Sequence, residues 1–133
     1  MPAKVLDSFA LIAYFRDEPG AEMMETLLVS AGRKDDPVLM CDVNYAEVKY
    51  SISRKDGAGA WAEAAKILPG LPIIFHSTTR ALADSAADFK GRFKMSLADA
   101  FAAALAKEKR AELVTGEVEF KALEREIKIH WLK

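Results

Sequence analysis

The chain has 133 residues, 51% of them hydrophobic and 29% charged, with a formal charge of −1. That is ordinary globular usage, long enough for one domain with a real core and too short for two typical ones. It excludes a global basic field, so any nucleic-acid contact has to be local, and the single cysteine, Cys41, excludes an internal disulfide.

A small buried hydrophobe in a reducing compartment is the expected role of Cys41. Met1-Pro2-Ala3-Lys4 leads straight into a strand and no run of about 18 apolar residues exists, so neither a signal peptide nor a membrane span is expected. The expected location is the cytoplasm.

Lys4 to Asp7 reads as a first strand and Ser8 opens a helix to about Phe15, with Phe9, Ile12 and Phe15 on one face. Asp17 to Gly20 forms a turn. Ala21, Met24, Leu27, Leu28 and Ala31 mark a second helix, with Gly32 placed to end it. Val38 to Cys41 is a second strand, and Asp42 is positioned to cap a helix from Val43 to about Ser53. Ala58, Trp61, Ala62, Ala65 and Leu68 form another helical stripe before Pro69-Gly70. Ile73-Ile74-Phe75 is the third strand. Ser77 or Thr78 then caps a long helix whose core face is Leu82, Ala86, Phe89 and Phe93.

Ser96 to about Arg110 is a helix whose stretch Leu97–Ala106 holds six alanines and one charge, Asp99. Such a helix can approach its neighbours closely and is expected to be central. Leu113-Val114-Thr115 is the fourth strand, Gly116 to Arg125 a turn and short helix, and Ile127 to Leu132 alternates as a half-exposed edge strand. Short strands alternating with helices predict an α/β domain with a mainly parallel sheet of about five strands.

Asp7 is the one charged residue between Lys4 and Arg16, in an apolar stretch where an unpaired carboxylate is costly to desolvate. Glu47 lies in the first turns after the second strand, Asp99 in the first turn of the Ala-rich helix, and Glu117 just after the fourth strand. In a parallel sheet all four fall on the rim at the strands' carboxyl ends, where open α/β sheets bind ligands. Carboxylates gathered there repel one another unless a cation neutralises them, and oxygen ligands suit Mg²⁺ or Mn²⁺ rather than zinc. The chemistry expected is metal-dependent phosphodiester hydrolysis. Each acid also has a local explanation. Asp7 can cap the helix starting at Ser8, Ser96-Leu97-Ala98-Asp99 fits a capping box, Glu47 beside Lys49 can be a solvated face, and Glu117 and Glu119 can serve a helix dipole.

Val5-Leu6-Asp7-Ser8, Asn44-Tyr45-Ala46-Glu47-Val48, Ser96-Leu97-Ala98-Asp99-Ala100 and Leu113-Val114-Thr115-Gly116-Glu117-Val118-Glu119-Phe120 occur in an order and spacing that resembles the PIN domain. Within that family the likeness is to the VapC-like toxins of prokaryotic toxin–antitoxin pairs, and it covers residues 1–133 as a single PIN-like nuclease domain. The resemblance implies an α/β/α ribonuclease for single-stranded RNA, with Asp7 and Asp99 as direct Mg²⁺ or Mn²⁺ ligands and Glu47 either binding through water or orienting the nucleophile. Glu117 stands where the family usually has Asp, and Glu119 can share the position. Ser8 and Thr115 match hydroxyl positions near the family's metal. The same resemblance implies a homodimer and a cognate antitoxin that buries a segment in the acidic groove.

Phosphate-holding candidates for a basic rim are Lys90, Arg92, Lys94, Lys107, Lys109, Arg110, Arg54 and Lys55. His76 and His130 have no partner motif and read as structural or surface residues. Competing functions are an RNA-processing nuclease without antitoxin and a binding module with a degenerate site, towards which Glu117 is the hint. Phosphoryl transfer on an aspartate is a further class, but Asp7-Ser8-Phe9 lacks the second acid two residues on.

Overall fold

Strand β1 (Lys4–Leu6) runs through the middle of the sheet because both of its edges find parallel partners. The computed structural model describes residues 3–133, so Met1 and Pro2 of the expected lead into β1 lie outside the described residues. β2 (Val38–Cys41) pairs on one side of β1 and β4 (Glu112–Thr115) on the other. β3 (Ile73–His76) then adds beside β2 and β5 (Ile129–Trp131) beside β4, giving the order β3-β2-β1-β4-β5 with every pair parallel.

The pleat sorts the side chains into two cores. Val5 and its register partner Leu113 face one side, and Leu6 with its partner Val114 faces the other. On the first side lie α5 (Arg80–Arg92) and the Ala-rich α6 (Leu97–Lys109). On the second lie α1 (Ser8–Arg16), α2 (Ala21–Arg33), α3 (Asp42–Asp56) and α4 (Ala58–Ile67). The domain is therefore an α/β/α sandwich. Every residue from Ala100 to Ala106 is buried, as expected for a helix whose methyl side chains let strands and a second helix close around it.

Several boundaries differ from the sequence expectations. Gly32 does not end α2. The helix runs on to Arg33, and the left-handed turn falls on Asp35 (φ 51°), a residue type that tolerates it. Asp42 is the first residue of α3 rather than its cap, and α3 continues past Ser53 to Asp56, where Gly57 (φ 94°) stops it. The cap of α5 is Thr79, whose hydroxyl accepts from the Leu82 amide (3.0 Å), and not Ser77 or Thr78. Phe93 caps the C-terminus of α5 in extended backbone and, as expected, packs half-buried against the core that Leu82, Ala86 and Phe89 enter. The segment after β4 is a 3₁₀ turn, Val118–Leu123, and β5 is only three residues long, the Ile127 amide donating back to the Leu123 carbonyl (2.9 Å) rather than into the sheet. Cys41 is fully buried, as expected. Among the described residues no helix is long and apolar enough to cross a membrane.

Candidate active site

The sheet delivers Asp7 to its carboxyl rim with a second duty attached. As the cap of α1 its Oδ1 accepts from the Ala10 amide (2.9 Å), so the local reading of Asp7 is correct. Capping uses one carboxylate oxygen. The other accepts from the Thr115 hydroxyl at the end of β4, and the Thr115 oxygen in turn accepts from the Glu117 amide (3.0 Å). Asp7 is completely buried, and among the described residues no cation is paired with it. Burial pushes its pKa up to about 8; the Thr115 and Ala10 hydrogen bonds oppose this, and the charges of Asp99 and Glu117 add to it.

Asp99 sits in the first turn of α6, where the Ser96 hydroxyl accepts from its amide (3.1 Å), one half of the capping box. It is half-buried, and burial raises its pKa; its hydrogen bonding with Ser96 lowers it, and the charges of Glu47 and Glu119 raise it further. Glu117 follows β4 after one residue, Gly116. Its carboxyl is raised to about 7, first by burial, then by a hydrogen bond with Glu119, then by the charges of Asp99, Glu119 and Glu47. Gly116 precedes it, and a Cβ there would stand 2.3 Å from the Phe9 ring, which would then have to move. A glycine lets Phe9 lie against the strand end and keeps the Glu117 turn close to α1.

The four acids singled out in the sequence thus lie within electrostatic reach of one another, with Glu119 as a fifth. Asp7 senses Asp99 and Glu117, while Glu47 acts on Asp99 and Glu117. No three Asp, Glu, His or Cys side chains among the described residues are gathered closely enough to hold a metal ion as placed. The donor chemistry nevertheless fits a hard divalent cation. It consists of carboxylates and a hydroxyl, and the buried Asp7 carboxylate has no positive partner.

Asn44 is the residue whose part in the site the sequence reading missed. It is completely buried, and its Nδ2 donates to Ser8 Oγ (3.1 Å) and to the Ala98 carbonyl (3.0 Å). Ser8 Oγ donates back to the Asn44 carbonyl (3.3 Å). A signal was present: Asn44, Val48 and Ile52 recur at every fourth position and are the buried residues of α3, so a polar amide occupies its core face.

Several basic candidates are committed elsewhere. Arg92 forks onto Glu126 (2.8 and 3.0 Å), Lys90 donates to the Met95 carbonyl (2.9 Å), and Lys107 and Arg54 lie over the rings of Phe89 and Tyr50. The cavity of about 490 Å³ beneath α2 is no part of the rim. Lys4 and Val38, which line it, begin β1 and β2 at the opposite end.

The family model described as PIN domain matches residues 4–126. Among solved structures, VapBC2 from Rickettsia felis, bound to a DNA fragment from its promoter, superposes with a TM-score of 0.79 at 14% identity, covering 98% of this chain and 99% of that one. VapC20 from Mycobacterium tuberculosis, described as a sarcin-ricin loop cleaving toxin, gives 0.74 at 19% identity over 91% and 95%. VapBC-1 from nontypeable Haemophilus influenzae gives 0.70 at 17% identity over 97% of each. At such identities the likeness establishes a shared fold. No curated protein matches the chain.

Proposed function

The chain belongs to the PIN domain family, and from that premise we propose that it is a Mg²⁺- or Mn²⁺-dependent endoribonuclease acting as the toxin of a toxin–antitoxin pair. The observation that carries this reading is Asp7, a fully buried carboxylate without a counter-cation, held at the strand rim within reach of Asp99 and Glu117. A buried acid is costly to ionise, and a cation that favours its ionised form explains why the chain keeps one there.

Asp7 and Asp99 would hold the cation, with Glu47 and Glu117 as the remaining acids of the metal and catalytic set. When bound, such an ion neutralises a phosphate and acidifies water. Thr115 fixes the Asp7 carboxylate through its hydroxyl and so sets the angle of the remaining oxygen lone pairs. Glu117, with its carboxyl raised to about 7 by burial and by a hydrogen bond with Glu119, is suited to pass a proton to or from a reacting oxygen near neutral pH.

The substrate proposed is single-stranded RNA. A cognate antitoxin is the proposed protein partner, because the similar solved structures include toxin–antitoxin assemblies that share this fold. A homodimer and a cytoplasmic location belong to the same reading.

The test is cleavage of a mixed RNA pool in the presence and absence of Mg²⁺ or Mn²⁺, with Asp99→Asn alongside. Metal-dependent cutting by the wild type and none by the variant is expected. A folded wild type, freed of any co-purified partner, that cuts no RNA at any metal concentration would overturn the nuclease in favour of a degenerate binding module. Cutting by a protein whose inhibitor cannot be found beside it would favour the RNA-processing nuclease over the toxin.

A further inference from the structure

The acids of the rim come from segments far apart in the chain, and one side chain ties those segments together. Asp7 precedes Ser8 at the start of α1, Glu47 lies one turn beyond Asn44 on α3, and Asp99 follows Ala98 at the start of α6. Asn44 Nδ2 donates to Ser8 Oγ and to the Ala98 carbonyl, so its two amide hydrogens span the gap between α1 and α6. The orientation of the amide is fixed. A carbonyl can only accept, so the end facing Ala98 must be the nitrogen.

That arrangement leaves Asn44 Oδ1 buried with no protein partner. A buried acceptor left unpaired is a cost to folding. The groups that Asn44 contacts have other partners. Ser8 Oγ already donates to the Asn44 main chain, and the Ala98 carbonyl lies in the first turn of α6, where helix geometry supplies it with a donor, the amide four residues on. A leucine of similar size on the Asn44–Val48–Ile52 face would therefore fold without the orphan. Stability alone gives no reason for the amide, whereas alignment of the two acid-bearing helix starts does.

We infer that Asn44 is a positioning residue, which sets the separation of Asp7, Glu47 and Asp99 by locking the first turns of α1 and α6 onto α3. This rests on the proposed nuclease reading for its purpose, but the tie itself can be measured without it.

The experiment compares metal-free wild type, Asn44→Leu and Ser8→Ala by amide hydrogen exchange, and then titrates each with Mn²⁺. In Asn44→Leu, exchange is expected to rise at least fivefold in the first turns of both α1 and α6, with α5 unchanged. Ser8→Ala cuts one arm of the tie and is expected to raise exchange at α1 alone. Mn²⁺ affinity is expected to fall at least tenfold in Asn44→Leu and less in Ser8→Ala, with kcat for RNA reduced and KM little altered. Unchanged exchange at both helix starts overturns the inference, as does a rise spread evenly over the chain, which would make Asn44 merely structural. If the wild type binds no Mn²⁺, the proposed function fails, and the paired rise at α1 and α6 still decides for or against the tie.

Discussion

Two nearly buried acids stand at opposite ends of adjacent strands, and the chain treats them differently. Glu112 opens β4 at the base of the sheet, where its register partner is Lys4. Burial pushes its pKa up, but Lys128 at 3.2 Å, together with Lys4 and His130, outweighs that and brings it below the usual 4.5. Asp7 closes β1 at the rim, more deeply buried, and the charges that reach it are those of Asp99 and Glu117, so its pKa rises to about 8. The fold is able to neutralise a buried acid where only structure is at stake. That it supplies cations at the base and further carboxylates at the rim is the pattern expected if the rim is the proposed cation site, where stability is given up for binding.

Removing the rim acid should break this contrast most severely. Asp7→Asn is expected to reduce RNA cleavage on the order of 10³-fold, as losing a key electrostatic group does in other sites. It should also abolish the thermal stabilisation that Mn²⁺ gives the wild type, about 2.7 kcal/mol at a hundredfold excess over Kd. The metal-free protein should gain stability. Asp7 holds its proton up to about 8 when folded but titrates near 3.8 when unfolded. Between those values the folded state binds more protons, so wild-type stability falls as pH rises, by at most about 1.4 kcal/mol per unit. Denaturant midpoints of variant and wild type should coincide near pH 4 and separate in favour of the variant by pH 8. A variant less stable than wild type at pH 8 would contradict the unpaired burial of Asp7.

Giving the rim a cation of its own should reproduce the base of the sheet. Val118 is 65% exposed between Glu117 and Glu119. Val118→Lys is expected to weaken Mn²⁺ binding about fivefold, the effect of roughly 1 kcal/mol of exposed charge. It should also lower the pKa of Glu117, read by carboxyl carbon NMR. A variant that binds Mn²⁺ as tightly as wild type would show that these two glutamates lie outside the cation's field. Shortening the acid instead, by Glu117→Asp, is expected to change cleavage by no more than about threefold. Complete loss in that variant would mean that the longer side chain is required.

Much of this contrast was legible in the residues. The apolar run around Asp7 gave away its burial, and the alternation of strands and helices predicted a mainly parallel α/β domain with Asp7, Glu47, Asp99 and Glu117 towards one rim; the sheet is parallel and these acids feel one another's charge. Local rules failed where tertiary contacts decide. Gly32 looked like a helix end but lies inside α2, and Asp42 looked like a cap although Cys41 occupies that place. The base of the sheet could not be read at all. Glu112, Lys128 and His130 meet only because β4 and β5 pair, and strand order does not follow from periodicity. Asn44 was readable in principle from its place on the buried face of α3, but which groups it joins depends on how α1 and α6 pack.

The smallest effect belongs to the neutralised acid. Lys128→Ala removes the closest cation from Glu112, yet the lysine side chain is 76% exposed and water screens it. Lys4 and His130 also remain to hold the charge. The loss is therefore expected to be under about 1 kcal/mol and to shrink as salt is added. Its pH dependence has the opposite sign to that of Asp7. A carboxyl held below its ordinary 4.5 contributes stability that is present above that value and lost as pH falls through the folded pKa. Denaturation of the variant should thus differ from wild type at pH 7 and converge with it in acid. A difference that instead grew in acid would mean that Glu112 is not held down by cations, and the two ends of the sheet would then be alike.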